Sequence, residues 1–372
     1  MREISSVEIA AVVGELRGLT GGRIDKLYEL GPGRFRIAIR HGEGRANLAC
    51  VLGRTLNLTS YMEKAEQPTG FAAACRKLVD GATIEAITQV NHDRIVDIAA
   101  RRASGALHMI IEMFGGGNLV VTGADMRILL AYRTHDYRER SIRAGAAYKP
   151  PSGSPTWIGG SAGAEAGRLV ADALASAKPG SKAMPALFAA FGIGTVYIEE
   201  ALASAGIDTR TDPKTIDQDA TNRLATLLRG MADLAEKNEP TIFRERGKAV
   251  DYALCRLSKY AGAEAQRFDT VSAMLDAFYS ENPATGNAPD EKEAEIRASI
   301  KKQEELVVEL GPRIESARAA GQAVFNNMDL FNGIAEAARN DKHTSADELQ
   351  RLFPQVRIKS VDLKEKTVTI EV

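Results

Sequence analysis

The chain has 372 residues, of which 44% are hydrophobic and 26% are charged, a composition typical of globular proteins rather than disordered or fibrous ones. This length is enough for two or three domains. No run of about 18 apolar residues occurs, so no membrane span is predicted, and acids inside the first apolar stretch argue against a secretory signal. Three widely separated cysteines predict neither a metal site nor disulfides, which favours the cytoplasm; they are Cys50, Cys75 and Cys255.

Charge is divided unevenly along the chain. Residues 1–150 hold 21 Lys and Arg against 16 Asp and Glu, a net charge of +5. The whole chain holds 48 against 49, so residues 151–372 hold 27 against 33, a net charge of −6. A basic first half is compatible with contact to phosphate groups but does not require it.

The first 150 residues predict an α+β domain. Ser5 and Glu8 form a capping box ahead of apolar residues at helical spacing, and Gly21-Gly22 ends this helix. A second helix is predicted from residue 70 to about residue 79. The strands follow one another without crossover helices, so they predict an antiparallel sheet or sandwich. The predicted strands are 23–28, 34–40, 47–52, 55–59, 83–90, 95–99, 107–114, 118–122 and 128–132.

Residues 148–160 are rich in Pro, Gly and Ser and predict a linker, after which residues 162–280 predict an almost wholly helical region. Within this region, Gly192 and Gly194 make a tight turn ahead of a helix. The free backbone N–H groups at that helix start can bind an anion such as a nucleic-acid phosphate. A simple turn between two helices explains the same pattern equally well.

A second linker is predicted at residues 282–290, followed by a coiled-coil strand in which Gly311-Pro312 should kink or locally break the helix. A coiled-coil strand needs a partner, so we expect self-association or a returning helix lost through truncation of the sequence. Residues 356–372 predict a β-hairpin. Apolar or small residues recur in 4-3 alternation at Ile296, Ile300, Gln303, Val307, Leu310, Ile314, Ala317, Gly321, Val324 and Met328.

Candidate functional residues are few, because no common catalytic or phosphate-loop motif occurs. Asn91-His92-Asp93-Arg94 interrupts two apolar strands. It is either a turn in which Asp93 bonds its own backbone, or an exposed acid–guanidinium pair that presents donors to phosphate or a base edge. Glu112 lies in an apolar strand and is either on the solvent face or paired with a buried base.

Several motifs, taken in chain order, carry a resemblance to one family; they are Ile4-Ser5-Ser6-Val7-Glu8, Gly22-Arg23-Ile24-Asp25-Lys26-Leu27-Tyr28, Pro68-Thr69-Gly70-Phe71, Arg76-Lys77-Leu78, Asp93-Arg94-Ile95, Ile111-Glu112-Met113-Phe114, Gly117-Asn118 and Tyr148-Lys149-Pro150-Pro151. Together they resemble the N-terminal module of the NFACT family, also called fibronectin-binding protein A-like proteins. This family comprises the tailing factors of ribosome-associated quality control.

The resemblance implies a fold and a domain order. Residues 1–151 would form an α+β domain related to formamidopyrimidine-DNA glycosylases, and residues 160–281 a helical domain of the helix–hairpin–helix type. Residues 290–330 would form a coiled-coil strand, and residues 331–372 a small domain at its tip. In the family a C-terminal RNA-binding domain follows the returning coil, which agrees with the expected truncation.

The resemblance also implies a non-enzymatic function without a cofactor. Family members bind the large ribosomal subunit with its stalled peptidyl-tRNA and recruit aminoacyl-tRNA for untemplated tailing of the nascent chain. The implied partners are therefore the large subunit, its rRNA and tRNA, with no membrane. The rival hypotheses are a DNA glycosylase, which would need a proline where Arg2 stands, and a surface adhesin, for which no export signal is found.

The resemblance assigns tRNA recruitment to Asp93 and Arg94. It also carries over an acidic residue to Glu8, where the family often has Asp, although the capping box already explains this glutamate. Arg76 and Lys77 match a basic pair of the family, and stabilisation of a helix C-terminus explains them equally well. Gly192 and Gly194 would contact the nucleic-acid backbone.

Overall fold

The computed structural model describes residues 2–42, 44–65, 67–282, 291–340, 345–362, 365 and 367–371. The chain forms two compact units, Met1–Asn287 and Ala288–Val372. Within the described ranges, no helix is long and apolar enough to cross a membrane. The predicted second linker lies almost entirely outside the described residues.

The first unit contains a nine-stranded antiparallel sheet and two helices from the first half of the chain. Helix α1 is Ser6–Leu16 and helix α2 is Gly70–Val79. The strands are β1 (Arg23–Gly31), β2 (Arg34–His41), β3 (Gly44–Val51), β4 (Thr55–Leu58), β5 (Thr83–Gln89), β6 (Ile95–Arg102), β7 (Gly105–Glu112), β8 (Asn118–Gly123) and β9 (Ile128–Ala131), and a separate ribbon pairs β10 (His135–Asp136) with β11 (Ser141–Ile142).

The strand order is β4-β3-β2-β1-β5-β6-β7-β8-β9. At the junction between β1 and β5, Arg23 pairs with Thr83 and a few backbone hydrogen bonds of the adjoining residues cross beside this pair, so the two halves are joined by a narrow strip. The two halves pack face to face. The β3–β4 turn of one half meets the β7–β8 turn of the other so closely that a Cβ atom on Gly117 would overlap the Gly53 backbone. The predicted antiparallel sandwich and the α+β fold class are confirmed.

The remainder of the first unit packs on the same core, which runs from Ile4 to Phe278. The prediction of an almost wholly helical region is wrong for residues 241–267, which form a three-stranded sheet. Its hairpin turn at Arg246-Gly247 has positive φ at both residues, a turn signal that the surrounding alanine-rich sequence obscures. The elements are α3 (Gly163–Ala175), α4 (Ala183–Phe191), α5 (Thr195–Ser204), α6 (Gln218–Asp233), β12 (Thr241–Glu245), β13 (Lys248–Ala253), β14 (Glu264–Arg267) and α7 (Val271–Glu281).

The second unit consists of three helices and a hairpin: α8 (Glu291–Asn326), α9 (Met328–Asn340), α10 (Ala346–Leu352), β15 (Arg357–Asp362) and β16 (Thr367–Glu371). The hairpin prediction is confirmed. Of the two alternatives predicted at Gly311-Pro312, the local break is wrong, because strong helix formers on both sides continue α8 through the proline, and the kink stays a prediction. Ile334, Leu349 and Ile358 form the buried core of this unit.

The predicted coiled-coil seam lies on α8, except for Met328, which begins α9. Within this unit the side chains of Val307 and Ile314 are 71% and 50% exposed. The side chains of Ile296, Ile300 and Val324 are outside the described residues. Self-association through this helix, like the domain boundaries taken from the resemblance, stays a prediction.

Candidate nucleic-acid interface

Helix α1 begins with the predicted capping box. The Ser5 Oγ atom accepts a hydrogen bond from the Glu8 backbone N–H at 3.3 Å, and Glu8 Oε2 accepts one from the Ser5 N–H at 2.7 Å. These bonds satisfy two backbone donors that a helix start leaves free. The arrangement fixes the position of the first turn of α1.

Beneath this turn, the Glu8 side chain is fully buried in a network of charged and phenolic groups. Its Oε1 atom accepts a hydrogen bond from the Tyr197 hydroxyl at 2.8 Å and forms an ion pair with the Arg2 guanidinium. The other end of the Arg2 guanidinium donates to Asp251 Oδ1 at 3.0 Å and lies over the Tyr252 ring. Glu8 therefore reaches no surface here, and its predicted contact with tRNA stays a prediction.

Burial and charge act in opposite directions on this network. Burial works to raise the pKa of the Asp251 carboxyl, but the charge and hydrogen bond of Arg2 outweigh it, so this pKa is lowered. Burial and the neighbouring Glu8 carboxylate raise the pKa of Tyr197 well above its ordinary value. These shifts favour a charged Asp251 carboxylate, which pairs with Arg2, and a neutral Tyr197 phenol, which can donate its hydrogen bond.

On the outer side of α1 lies the loop between β5 and β6, residues 90–94. Asn91 and His92 both adopt left-handed backbone conformations, with φ of 52° and 51°. The Gln89 amide donates to the carbonyls of Ser6 and Asp93, at 2.9 Å each. This glutamine thus ties the loop directly to the first residue of α1.

The charged groups of this loop do not pair with each other. The Asp93 Oδ1 atom accepts a hydrogen bond from the Arg94 N–H at 2.7 Å, so the carboxylate bonds its own backbone, as one of the two sequence interpretations predicted. Arg94 Nη1 instead pairs with Glu3 Oε2 at 2.5 Å. The Arg94 side chain is 26% exposed and Glu3 is 44% exposed, so this ion pair faces solvent.

An aromatic pair stands beside the charged loop and was not found from the sequence. The exposed His92 ring stacks on Trp157 with ring centroids 4.6 Å apart and planes 12° from parallel. Trp157 is the single tryptophan of the chain and lies in the predicted linker at 148–160. A tryptophan in a Pro/Gly/Ser-rich segment was the signal that could have identified it.

The predicted Gly192–Gly194 turn packs against the same end of α1. Gly192 ends α4 in the left-handed conformation, and Gly194 starts α5 with φ of 109°. The Ser6 hydroxyl donates to the Gly192 carbonyl at 3.0 Å. A Cβ atom on Gly194 would lie 2.7 Å from Ser5 Cβ, so glycine is required by the close packing as well as by φ.

The structure therefore brings most of the predicted site residues together. The loop at Asp93-Arg94, the glycine turn and the buried Glu8 all surround the first turn of α1. Arg76 and Lys77 instead lie on α2, where Arg76 Nε donates to the Leu27 carbonyl at 2.6 Å. This bond covers an edge of β1 that β5 leaves unpaired, which gives Arg76 a structural role; the Lys77 side chain is exposed.

Comparison with known proteins identifies the class to which this fold and loop belong. The model of the family described as NFACT N-terminal and middle domains matches residues 5–356. The chain therefore belongs to the NFACT family, as its motifs predicted.

Among curated relatives, the chain is 26% identical over 353 residues to the archaeal Rqc2 homolog aRqcH of Methanocaldococcus jannaschii, covering 91% of this chain and 52% of that protein. It is 30% identical over 136 residues to the human ribosome quality control complex subunit NEMF, covering 36% of this chain and 13% of that protein. The chain thus spans about half the length of the archaeal relative and less of the human one.

The fold recurs in solved bacterial structures. The fibrinogen binding protein from Staphylococcus aureus superposes with a TM-score of 0.60 at 18% identity, covering 74% of this chain and 98% of that one. The N-terminal part of the fibronectin/fibrinogen-binding protein from Streptococcus suis superposes with a TM-score of 0.56 at 20% identity, covering 75% and 99%. At these identities the likeness establishes the fold alone.

Proposed function

We propose that this chain acts as a ribosome quality control factor in the cytoplasm. It binds the large ribosomal subunit with its stalled peptidyl-tRNA and recruits aminoacyl-tRNA for untemplated tailing of the nascent chain. Peptidyl transfer itself belongs to the ribosome, so the protein works by positioning RNA and needs no cofactor. The family match and the names of the curated relatives support this proposal.

The loop at residues 91–94 is the observation that carries the assignment of a tRNA contact. It presents one partly exposed guanidinium, which is held by a solvent-facing carboxylate, beside an exposed histidine ring stacked on tryptophan. Arginine recognises phosphate and base edges through paired donors, and aromatic rings stack on unpaired bases. Both kinds of group stand within one short loop whose backbone is fixed by Gln89.

The rival glycosylase hypothesis finds no support at the N-terminus. Arg2 occupies the position where that chemistry needs a proline amine, and its guanidinium is bound to the buried carboxylates Glu8 and Asp251. Incubation with damaged-base DNA and borohydride should give no covalent protein–DNA product. A trapped complex would contradict the non-enzymatic proposal.

The substitution Arg94→Ala tests the tRNA contact. We expect tRNA binding to weaken by about 1–3 kcal/mol, the value of a good bidentate contact. The free energy of unfolding should fall by about 0.5 kcal/mol or less, because an ion pair with Glu3 in solvent contributes little. Affinity and thermal unfolding are measured on the same preparation.

Arg101→Ala is the matched control for this experiment. Arg101 lies on β6, the strand that follows the loop, and pairs with an exposed glutamate, Glu85, just as Arg94 pairs with Glu3. The control should leave tRNA affinity unchanged within twofold. If both variants lose tRNA affinity equally, Arg94 contributes only general charge attraction. If Arg94→Ala loses stability while its tRNA affinity is unchanged, the assignment of a tRNA contact is refuted.

A further inference from the structure

A second group of cations lies on the outer face of the other half of the sheet, away from the α1 site. Arg36, in the middle of β2, is only 7% exposed. Its Nη1 atom donates to Asn47 Oδ1 at 3.0 Å and approaches Met62 Sδ at 3.4 Å. Its Nε–H is the buried side-chain polar atom that lacks a hydrogen-bond partner among the described residues.

No carboxylate neutralises this guanidinium within the part of the chain that the structure describes. Two acids line the same cavity as Arg36, and each already accepts hydrogen bonds from other residues. Glu63 accepts two hydrogen bonds from Arg34, at 2.5 and 2.6 Å, and Asp276 accepts from the backbone and hydroxyl of Ser60, at 3.0 and 3.2 Å. Burying an unpaired charge is costly, so a fold that needed only packing at this position would place an apolar residue there.

Two further cations lie near the aromatic ring that Arg36 contacts. The Tyr28 ring lies opposite Arg36 on β1, with the guanidinium carbon 4.3 Å from the ring centroid. The same ring has Lys26 Nζ at 5.5 Å and the Arg76 guanidinium at 5.7 Å. The Asp80 carboxylate acts electrostatically on Lys26 and Arg76 and balances part of their charge. Cation–π contact offsets part of the cost of burying Arg36, but the three cations around one ring still repel each other, and a bound anion would relieve this repulsion.

Arg36 lines a cavity of about 200 Å³ that could hold such an anion. The walls also carry hydroxyl groups from Thr59 and Tyr61. The segment that covers the cavity, residues 59–63, has no regular secondary structure and exposes an aromatic ring and a thioether, with Tyr61 55% and Met62 64% exposed. One cavity is thus lined by a buried guanidinium, hydroxyl groups and an exposed aromatic ring.

We propose that this cavity binds a phosphate group, carried by a nucleotide or by the end of a single-stranded RNA. Arg36 supplies the charge-assisted hydrogen bonds that phosphate oxygens accept. Tyr61 lines the cavity and is 55% exposed, so its ring can stack on the base attached to the phosphate. The site shares no residue with the loop at 91–94, so it stands or falls independently of the proposed tRNA contact.

The test is a titration of the full chain with inorganic phosphate, AMP and a short RNA with or without a 5′-phosphate, at constant ionic strength. Binding is followed by phosphorus NMR and by the shift in unfolding temperature. Arg36→Met should lose at least tenfold in phosphate affinity. Arg45→Met, which removes a 69% exposed arginine from the neighbouring strand, controls for general charge and salt effects.

The same experiment distinguishes the two possible carriers of the phosphate group, a nucleotide and an RNA end. AMP binding as tightly as the phosphorylated RNA identifies a nucleotide site, whereas tighter binding of the phosphorylated RNA identifies an RNA-end site. In either case Tyr61→Ala should weaken AMP or RNA severalfold and leave inorganic phosphate unchanged.

Stability distinguishes a binding residue from a structural one. Without ligand, Arg36→Met should melt at the same temperature as the wild type or higher, because it removes an uncompensated buried charge. If Arg36→Met does not fold, Arg36→Lys keeps the charge without the planar donor set and should lose affinity while folding. The proposal is overturned if no probe binds the wild type, or if wild type and Arg36 variants respond equally to phosphate.

Discussion

Two acid–arginine pairs flank the first turn of α1, and they differ chiefly in burial. Beneath the helix, Glu8 and Arg2 are enclosed with phenol and carboxylate partners on every side. Outside it, Arg94 and Glu3 meet in solvent at the edge of a loop. The same chemical pair is thus a structural element in one place and a group free to exchange partners in the other. Sequence spacing alone does not distinguish them.

The largest effect should come from breaking the buried pair. Glu8→Ala leaves Arg2 buried without its partner and removes the acceptor of the Tyr197 hydroxyl. We expect the free energy of unfolding to fall by about 3–5 kcal/mol, the range for removing one partner of a buried pair. Urea unfolding followed by circular dichroism measures this loss.

Glu8→Gln is the control, because it keeps the size of the side chain and most of its hydrogen bonds. Glu8→Gln should lower the free energy of unfolding by less than Glu8→Ala does. The loss in Glu8→Gln measures the contribution of the charge, and the additional loss in Glu8→Ala measures the contribution of the side chain's size and hydrogen bonds. A loss below about 1 kcal/mol for Glu8→Ala would show that Glu8 is not structural here. Its predicted role in binding tRNA would then regain weight.

A smaller loss is expected where the glycine turn meets α1. Gly194→Ala places a Cβ atom 2.7 Å from Ser5 Cβ in a backbone conformation with φ of 109°. Strain and overlap together should cost about 2–4 kcal/mol. Gly206→Ala is the matched control, because its φ is 74° and nothing lies within 4 Å of the added atom. Thermal unfolding of both variants separates overlap from strain, and equal losses would contradict the close packing described here.

Much of this architecture was predictable, because local signals determine it. The capping box at Ser5 and Glu8, the alternating strands and the turn at Gly192–Gly194 each arise from residues close together in sequence. The three-stranded sheet at 241–267 was missed, since its strands are short and lie in an alanine-rich setting. Helix α8 was expected to kink or break at Pro312, and it does not break, because its long flanking segments continue the helix.

The site was less predictable than the fold, because its pairings join distant residues. Asp93 and Arg94 are neighbours in sequence, yet the guanidinium pairs with Glu3, 91 positions away. His92 stacks on Trp157 across a similar separation. For Glu112 the sequence left open the solvent face or a buried base, and the structure shows the second: the partner is Arg140, whose side chain is 7% exposed.

The buried network should also lose stability in acid. The pKa of Asp251 is lowered in the folded state because Arg2 outweighs the effect of burial. Its contribution to stability is therefore complete above the unfolded pKa of about 4 and is lost as the pH falls through the folded value. Unfolding experiments between pH 6 and pH 3 should show this loss. Asp251→Asn should be less stable at pH 6 and lose less on acidification; parallel profiles would exclude this origin.

The smallest effect is expected on α2, where half-buried Arg76 bonds a backbone carbonyl and its neighbour Lys77 is exposed. Arg76→Ala removes the hydrogen bond to the Leu27 carbonyl and uncovers the β1 edge, so we expect a loss of about 1–2 kcal/mol. Lys77→Ala removes an exposed side chain and should change the free energy of unfolding by about 0.5 kcal/mol or less. Because Lys77→Ala leaves the fold intact, its tRNA affinity measures the predicted contact directly. Unchanged affinity would remove Lys77 from the interface and leave helix stabilisation as the reason for the basic pair.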